Sequence, residues 1–332
     1  MANIRDIALA AGVSVATVSR VLTKPDVVKK STTDKVRAAI AALDYKPNAV
    51  ASSLRRQRSD NIVVVVPHID NPFYSGVIQG IENIAHDNRF KVLLGETQDR
   101  QDRLDHYAEM LLGKVADGLI LLGSRLPTIV QEAIARDEPS PVPLVLACER
   151  FEGLSSPSVE IDNRAASAAA TRHLIERGHK RIATITGPLD NTLGRDRLSG
   201  YRDALTAAKI AIDETLIVEG DFTIGSGFHA ARRLMKRKNP PTAIFCASDE
   251  MAIGGIKAAT DMGLRVPDDI AMTGFDDLRF AAYCTPTLTT VAQPTVEIGE
   301  VAMRLMMGLL ADEASEPEHI VLPYQLVIRD SS

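Results

Sequence analysis

Ile4-Arg-Asp-Ile-Ala-Leu-Ala-Ala-Gly-Val-Ser-Val-Ala-Thr-Val-Ser-Arg-Val-Leu22 is the stretch on which the reading of the chain turns. Ile4, Ile7, Ala8 and Ala11 fall at helical spacing, and Gly12 supplies the left-handed residue that ends a first short helix. Ser14 is placed to cap a second helix, Val15 to Leu22, with Val18, Val21 and Leu22 inward and Val15, Ala16, Ser19 and Arg20 outward. Two short helices across a three-residue turn make a helix-turn-helix, whose second helix enters the major groove of DNA. A third helix, capped near Ser31 or Thr32 and running through Val36, Ile40 and Leu43, closes the core. Arg20 can fork to guanine, and Val15 and Ala16 offer methyl surface to thymine. Lys29, Lys30, Lys35 and Arg37 either touch phosphates or simply solvate the face.

Charge divides the chain at the same place. Residues 1–60 hold 11 Lys+Arg against 5 Asp+Glu, leaving 27 of the 38 basic and 38 of the 43 acidic residues to the rest of the 332. Basic surface binds the phosphate backbone by releasing counterions while an acidic body is repelled, so contact with nucleic acid is expected in the first sixty residues alone. Between them, Tyr45-Lys-Pro-Asn-Ala-Val-Ala-Ser-Ser-Leu-Arg-Arg56 offers about two helical turns, marginal in isolation and expected to fold only against its twin and DNA. Leu54 on such a helix is placed as an apolar wedge for the minor groove.

After Asp60, apolar runs alternate with amphipathic helices: Ile62-Val-Val-Val-Val66, Val92-Leu-Leu94, Gly118-Leu-Ile-Leu-Leu122 and Leu144-Val-Leu-Ala147, then Arg181-Ile-Ala-Thr-Ile-Thr186, Ala243-Ile-Phe-Cys246 and Ile270-Ala-Met-Thr-Gly274. Short buried runs of this kind are parallel strands, and two series of them predict an α/β body of two doubly wound parallel-sheet lobes. Leu288–Gln293 and a helix around Ile298–Leu310 are expected to return to the first lobe, and a strand near Leu326–Ile328 to the second. The expected domains are a headpiece at 1–46, a hinge helix and linker at 47–60, and a body at 61–332. Within the body the first lobe is expected over 61–161 and 292–318, the second over 162–291 and 319–332.

In such sheets ligands sit beyond the carboxyl ends of the strands. Asp70 to Tyr74, Ser124 with Arg125, Glu149 with Arg150, and Asp162 follow strands of the first series. Asn191 with Arg197, Asp221-Phe222, Ser248-Asp249 and Phe275-Asp-Asp277 follow those of the second. Carboxylates and Arg grip vicinal hydroxyls, and Phe73 and Phe222 offer stacking faces. Asp and Ser at these places also serve as helix caps, notably Asp70 and Ser248, while Asn71 and Asn163 are read as turn-formers.

Ile4-Arg-Asp-Ile-Ala, Val13-Ser-Val-Ala-Thr-Val-Ser-Arg-Val and Tyr45-Lys-Pro-Asn-Ala-Val-Ala-Ser-Ser-Leu54 resemble the headpiece and hinge of the lactose/galactose-repressor family of transcription regulators, and the likeness runs nearly the full length. The resemblance implies a periplasmic-binding-protein-like body, operator reading by Val15, Ala16 and Arg20, and paired Leu54 side chains opening a central CG step, which unstacks cheaply. The DNA-facing set so implied is Ser14, Val15, Ala16, Thr17, Ser19, Arg20, Lys29, Asn48, Ala51, Leu54 and Arg55. It likewise implies effector contacts at Phe73, Ser124, Asp162, Arg197, Phe222, Asp249, Asp276 and Gln293, with Asn191 as discriminator, beside Asp70, Tyr74 and Glu149.

Leu121-Leu-Gly-Ser-Arg-Leu-Pro127, Gly220-Asp-Phe-Thr223, Pro241-Thr-Ala-Ile-Phe-Cys246, Ala292-Gln-Pro294 and Glu297-Ile-Gly299 are similar to the cytidine-repressor branch, which implies a nucleoside or pentose, hexoses remaining open. Purine-repressor members carry Arg and Thr where this chain has Asn191 and Leu193, so a free purine fits poorly.

The expected protein is a repressor, homodimeric on a pseudo-palindromic operator, with its operator affinity controlled by the effector; the residues leave open whether the effector releases or strengthens DNA binding, and the resemblance implies release. The other reading is a cytosolic solute-binding receptor without direct gene regulation. No Gly-x-Ser-x-Gly, Walker loop or Gly-x-Gly-x-x-Gly follows a strand, and the seven His show no metal-ligand spacing, so neither an enzyme, a cofactor nor a metal is expected. Three scattered cysteines suit unpaired thiols, and no secretory signal or membrane span is read, which together predict a cytoplasmic protein.

Overall fold

Asn3 starts the first helix, α1 (Ile4–Ala11): its Oδ1 accepts from the amides of Arg5 (2.8 Å) and Asp6 (3.3 Å), while Asp6 Oδ2 accepts from the Asn3 amide at 2.8 Å. This reciprocal box satisfies donors that a helix end otherwise leaves open, and Gly12 ends the helix at φ 63. The computed structural model describes residues 2–23, 25–45, 58–151, 153–311 and 317–332, which part into two units at Ser59 and Asp60. The hinge expectation, with Asn48, Ala51, Leu54 and Arg55, lies outside the described residues.

In the first unit, α2 (Val15–Thr23) and α3 (Lys30–Ala42) join α1 around Ile7, Ala8, Val18, Val21, Val36 and Ala39. Two details depart from expectation. Leu22 is 37% exposed and Leu43 40%, because so small a core accepts only the stripe through Val18 and Val21, with Ile40 and Tyr45 closing its other side. Helix α3 begins at Lys30, with Lys29 at the cap position and no side-chain cap from Ser31 or Thr32.

The second unit contains two six-stranded sheets. The first orders its strands β11-β5-β4-β3-β1-β2, all parallel: β1 (Asn61–Val66), β2 (Lys91–Glu96), β3 (Gly118–Leu121), β4 (Leu144–Ala147), β5 (Ser158–Ile161) and β11 (His319–Leu322). Ile62, Val64 and Val66 pack beneath α4 (Pro72–Asp87) and α11 (Thr295–Leu310), whereas Val63 and Val65 face α5 (Gln101–Leu112) and α6 (Thr128–Ala135). With both faces covered, successive strand residues are all apolar, which is why the run carries no alternation.

The second sheet runs β12-β10-β9-β8-β6-β7: β6 (Ile182–Thr186), β7 (Ile217–Glu219), β8 (Ala243–Cys246), β9 (Ala271–Asp276), β10 (Thr289–Ala292) and an antiparallel β12 (Gln325–Val327). Its layers are α7 (Asn163–Glu176) with α8 (Thr192–Ala207), and α9 (Ile224–Met235) with α10 (Asp249–Asp261).

The chain crosses between lobes three times: from β5 into α7, from β10 into α11, and from β11 into β12. Two expectations are corrected here. Leu288–Gln293 does not return to the first lobe: its strand pairs with β9 in the second sheet, and the crossing falls at Pro294, which caps the returning helix. Residues 319–322, expected in the second lobe, form β11 beside β5 in the first. Apolar strand composition does not say which sheet supplies the partner edge.

Helices α4 and α11 cross where Gly80 faces Gly299. A Cβ on Gly80 would lie 2.0 Å from the Val296 carbonyl oxygen, and one on Gly299 2.0 Å from that of Val77, so backbone meets backbone at this crossing.

Candidate functional site

On α2, Val15 is 38% exposed and Ala16 and Arg20 are exposed, while Thr17 and Ser19 are half-buried. Helical spacing puts Val15 and Ser19, and Ala16 and Arg20, one turn apart on the outer face. Ser14 caps the helix, accepting from the Thr17 amide at 3.1 Å, and its hydroxyl lies 2.9 Å from that of Thr17. Lys29 stands exposed just before α3. This face holds one guanidinium and two methyl-bearing residues, the groups that read base edges.

In the second unit a cavity of about 390 Å³ opens between the lobes beyond the carboxyl ends of the strands, and a recess of about 40 Å³ continues from it. Asp70, Tyr74, Ser124 and Glu149 line it from the first lobe, Asn191 and Phe222 from the second. Phe73, Arg197 and Asp276 bound the recess. A wider groove of about 830 Å³, between α11 and the Pro139–Leu144 segment, is lined mainly by Pro and aliphatic side chains, with Ser140, Ser155, Ser156, Arg304 and Glu318 as its polar members, and has no aromatic ring in its lining. The interlobe cavity fits a polar ligand better on chemistry, although it is smaller.

Arg197, on α8 and 4% exposed, is the centre of the site. Its Nε donates to Asn163 Oδ1 at 3.0 Å and its Nη1 to the Ala247 carbonyl at 2.6 Å. The guanidinium stacks on the Phe275 ring at 3.7 Å and faces the Phe222 ring at 5.8 Å, and its charge is held against burial by Asp276 and Glu149. Asp276 Oδ1 is 3.8 Å from Nη1, too long for a hydrogen bond, and accepts instead from Gln293 Nε2 at 2.8 Å. Burial pushes the Asp276 carboxyl up to about 6 even though Arg197 and Gln293 pull it down.

Across the cleft, Glu149 is 6% exposed and its Oε2 has no hydrogen-bond partner. Burial raises its carboxyl to about 7 against the pull of Arg197. Burial likewise raises the Tyr74 hydroxyl, with Glu149 and Cys148 adding to the effect.

Cys148, Phe222, Asp276 and Asp277 adopt left-handed backbone with φ of 75, 67, 114 and 52. All four follow or end strands, and Cys148, Phe222 and Asp276 line the recess of the cleft. Strain in non-glycine residues persists where the surroundings enforce it, and functional sites are where it gathers.

Four helices begin at the cleft, each capped by its own side chain. Phe73 donates to Asn71 Oδ1 (2.9 Å), Gly194 to Asn191 Oδ1 (2.7 Å), Ser226 to Thr223 Oγ1 (3.2 Å) and Met251 to Ser248 Oγ (3.2 Å) through their amides. Asn191 therefore lines the cavity with its amide oxygen committed to α8.

Three expected effector contacts, Asp162, Asp249 and Gln293, fall elsewhere. Asp162 is exposed at the first crossover, where Oδ1 caps α7 through the Ala165 amide at 2.8 Å, and it lines no part of the cavity. Asp249 is fully buried: Oδ2 accepts from the Leu278 amide at 2.7 Å and Oδ1 from the Thr290 hydroxyl at 2.5 Å, with burial raising its carboxyl far above the ordinary range. Gln293 sits one residue behind the wall, acting on Asp276. Asn163, read as a turn-former, holds Arg197 instead; its position at the crossover after β5 is the only sequence signal pointing to it.

No helix of the described residues is long and apolar enough to cross a membrane, and no metal-binding cluster occurs among them.

Residues 3–48 match the family described as bacterial regulatory proteins, lacI family, and residues 171–332 match the periplasmic binding protein-like domain. The HTH-type transcriptional repressor CytR of Escherichia coli (strain K12) is 38% identical over 331 residues, covering 100% of this chain and 96% of that protein. The ribose operon repressor of the same strain is 36% identical over 332 residues, covering 100% of both. The solved structure of the lac repressor dimer bound to operator and the anti-inducer ONPF matches with a TM-score of 0.87 at 30% identity, covering 99% of this chain and 98% of that one. These relatives are repressors and not enzymes. With a helix-turn-helix unit and a two-lobed binding body along its whole length, the chain belongs to the LacI family of DNA-binding transcriptional repressors.

Proposed function

We propose that this repressor reads a pseudo-palindromic operator as a cytoplasmic homodimer through Val15, Ala16 and Arg20, and that a nucleoside or pentose bound between its lobes releases it. The observation that carries the effector reading is Arg197, buried on the Phe275 ring beside Asp276 and facing Phe222. A guanidinium and a carboxylate side by side offer paired donors and acceptors to vicinal hydroxyls, and an aromatic ring beside them takes a sugar or base face. Phe73, Tyr74, Ser124, Glu149, Asn191 and Phe222 complete the proposed wall, with Asp70 at its mouth.

Thermal unfolding of the full chain with nucleosides, pentoses and hexoses tests the effector class. A ligand at a hundredfold over its Kd adds about 2.7 kcal/mol, and the same ligand is expected to weaken operator binding in fluorescence anisotropy. Stabilisation by hexoses alone would overturn the nucleoside or pentose assignment. For the operator, Arg20→Ala is expected to cost about 1–3 kcal/mol of sequence discrimination, and equal affinity of parent and variant for matched and mismatched sites would overturn that role.

A further inference from the structure

Both arginines lining the cleft, and the His68 ring, already face a carboxylate of the protein. His68 Nε2 lies 2.9 Å from Asp99 Oδ2, Arg125 Nη2 lies 4.0 Å from Asp190 Oδ2 across the cleft, and Arg197 Nη1 lies 3.8 Å from Asp276 Oδ1. The helix N-termini, the other source of positive potential, are closed by Asn71, Asn191, Thr223 and Ser248. Against this, Asp70 and Glu250 line the cavity with no cation opposite either, and Glu250 is held protonated to higher pH by burial and by Asp70 from the other lobe. Among the described residues lining the cleft, an arriving phosphate would meet no arginine without a carboxylate beside it, and more carboxyl groups than guanidiniums.

One group in this wall is aimed at a ligand. Glu149 is almost completely buried, borders both the cavity and its recess, and has an Oε2 that no protein donor reaches. A buried acceptor without a donor is costly, and the cost is removed by a molecule bringing an O–H or N–H. We propose that the effector is an uncharged molecule that donates a hydrogen bond to Glu149, and that Glu149 is the specificity residue that turns away phosphorylated forms of the same molecule. This rests on the interlobe cleft being the effector site, but not on the effector being a nucleoside or pentose.

The test is calorimetric titration of the full-length protein at pH 8 with matched pairs: cytidine and its 5′-monophosphate, ribose and ribose 5-phosphate, glucose and glucose 6-phosphate. At least one neutral member is expected to bind, and its phosphate at least 100-fold more weakly. Glu149→Gln is expected to narrow that ratio about tenfold. Glu149→Asp, which keeps the charge and shortens the reach, should weaken the neutral ligand while retaining the ratio; circular dichroism checks that each variant is folded. A phosphate bound within tenfold of its neutral partner, an unchanged ratio in Glu149→Gln, or no binding by any neutral member at 10 mM overturns the proposal. If only the glucose pair responds, as described, Glu149 keeps its role and the nucleoside or pentose reading fails. If cytidine and its monophosphate bind equally, the reverse holds.

Discussion

Replacing Glu149 by Gln should make the protein more stable at alkaline pH, although it alters the binding cleft. The Glu149 carboxyl moves from its ordinary 4.5 to about 7 because burial outweighs the attraction of Arg197 and Arg195, with Glu160 and Asp99 adding repulsion. Each pH unit is worth about 1.4 kcal/mol, so holding Glu149 ionised in the folded protein costs about 3 kcal/mol above pH 7. Between 4.5 and 7 the folded carboxyl keeps a proton that the unfolded chain has released. Stability therefore falls as pH rises through that window and stays lower above it. Gln cannot titrate, and its amide occupies nearly the same volume. Urea unfolding of both proteins at pH 5 and pH 8 gives a difference of differences, in which Glu160, also raised to about 7, cancels. The variant should gain about 2–3 kcal/mol relative to the parent between the two pH values. A change below about 0.5 kcal/mol would refute the claim that this carboxyl is buried without a partner.

Arg197→Ala leaves Asn163 Oδ1, the Ala247 carbonyl and Asp276 buried without their donor or cation, which should cost about 3–5 kcal/mol in urea unfolding and abolish effector binding; a cost under 1 kcal/mol would show the cluster to be solvated. Asp249→Ala frees the amide of Leu278, two residues after Asp276, and the Thr290 hydroxyl, and should lower effector affinity although Asp249 does not line the cleft, while Asp249→Asn restores most of it; unchanged affinity in the Ala variant would show that these bonds do not position Asp276. Ile7→Ala should destabilise the first unit by about 2–5 kcal/mol and abolish operator binding, with the calorimetric transition of the second unit unmoved. Gly80→Ala places a Cβ 2.0 Å from the Val296 carbonyl oxygen and should cost at least about 1–3 kcal/mol in thermal unfolding; a neutral result would mean that α4 and α11 separate easily.

What the sequence disclosed followed the length scale of each signal. The alternation of Val15 and Val18 between solvent and core is a local helical period, visible within one turn. The run Ile62–Val66 announces a strand covered on both faces for the same reason. Partnership between strands is not local, and so β11 lies in the opposite lobe from the one expected, while β10, read as returning to the first lobe although the expected boundary at 291 left most of it in the second, stays in the second: Thr289–Ala292 and His319–Leu322 look alike as strands, and only the registers with β9 and β5 separate them. The cleft divides in the same way. The rule that ligands sit beyond strand ends places Arg197, Phe222 and Asp276 together, since it is a rule about topology. It cannot separate a carboxylate facing the cleft from one turned inward, because Asp276 and Asp249 both follow or end strands and differ only in side-chain direction. Asn163 shows the converse, a residue read as backbone punctuation whose side chain holds the central guanidinium.

That guanidinium links binding to the connections between lobes. Arg197 and Asp276 both belong to the second lobe, yet each is tied to a crossover: Arg197 through Asn163, which follows β5 at the first, and Asp276 through Gln293, which precedes Pro294 at the second. Two of the three chain crossings therefore end in side chains bonded to the groups that would grip an effector. A ligand hydroxyl that draws Arg197 or Asp276 inward must stretch those bonds of 3.0 and 2.8 Å or carry Asn163 and Gln293 with it. Hydrogen bonds between buried groups are costly to break, so a shift of either group is expected to be passed to the crossover residue bonded to it. Across the mouth of the cleft the exposed pair of Arg125 and Asp190, 4.0 Å apart, adds about 1 kcal/mol or less, while apolar side chains of both lobes share one buried cluster. Substituting Asn163 or Gln293 by Ala is therefore expected to weaken effector binding although Gln293 lines no part of the cavity, and unchanged affinity in both variants would refute the coupling of the crossovers to the site.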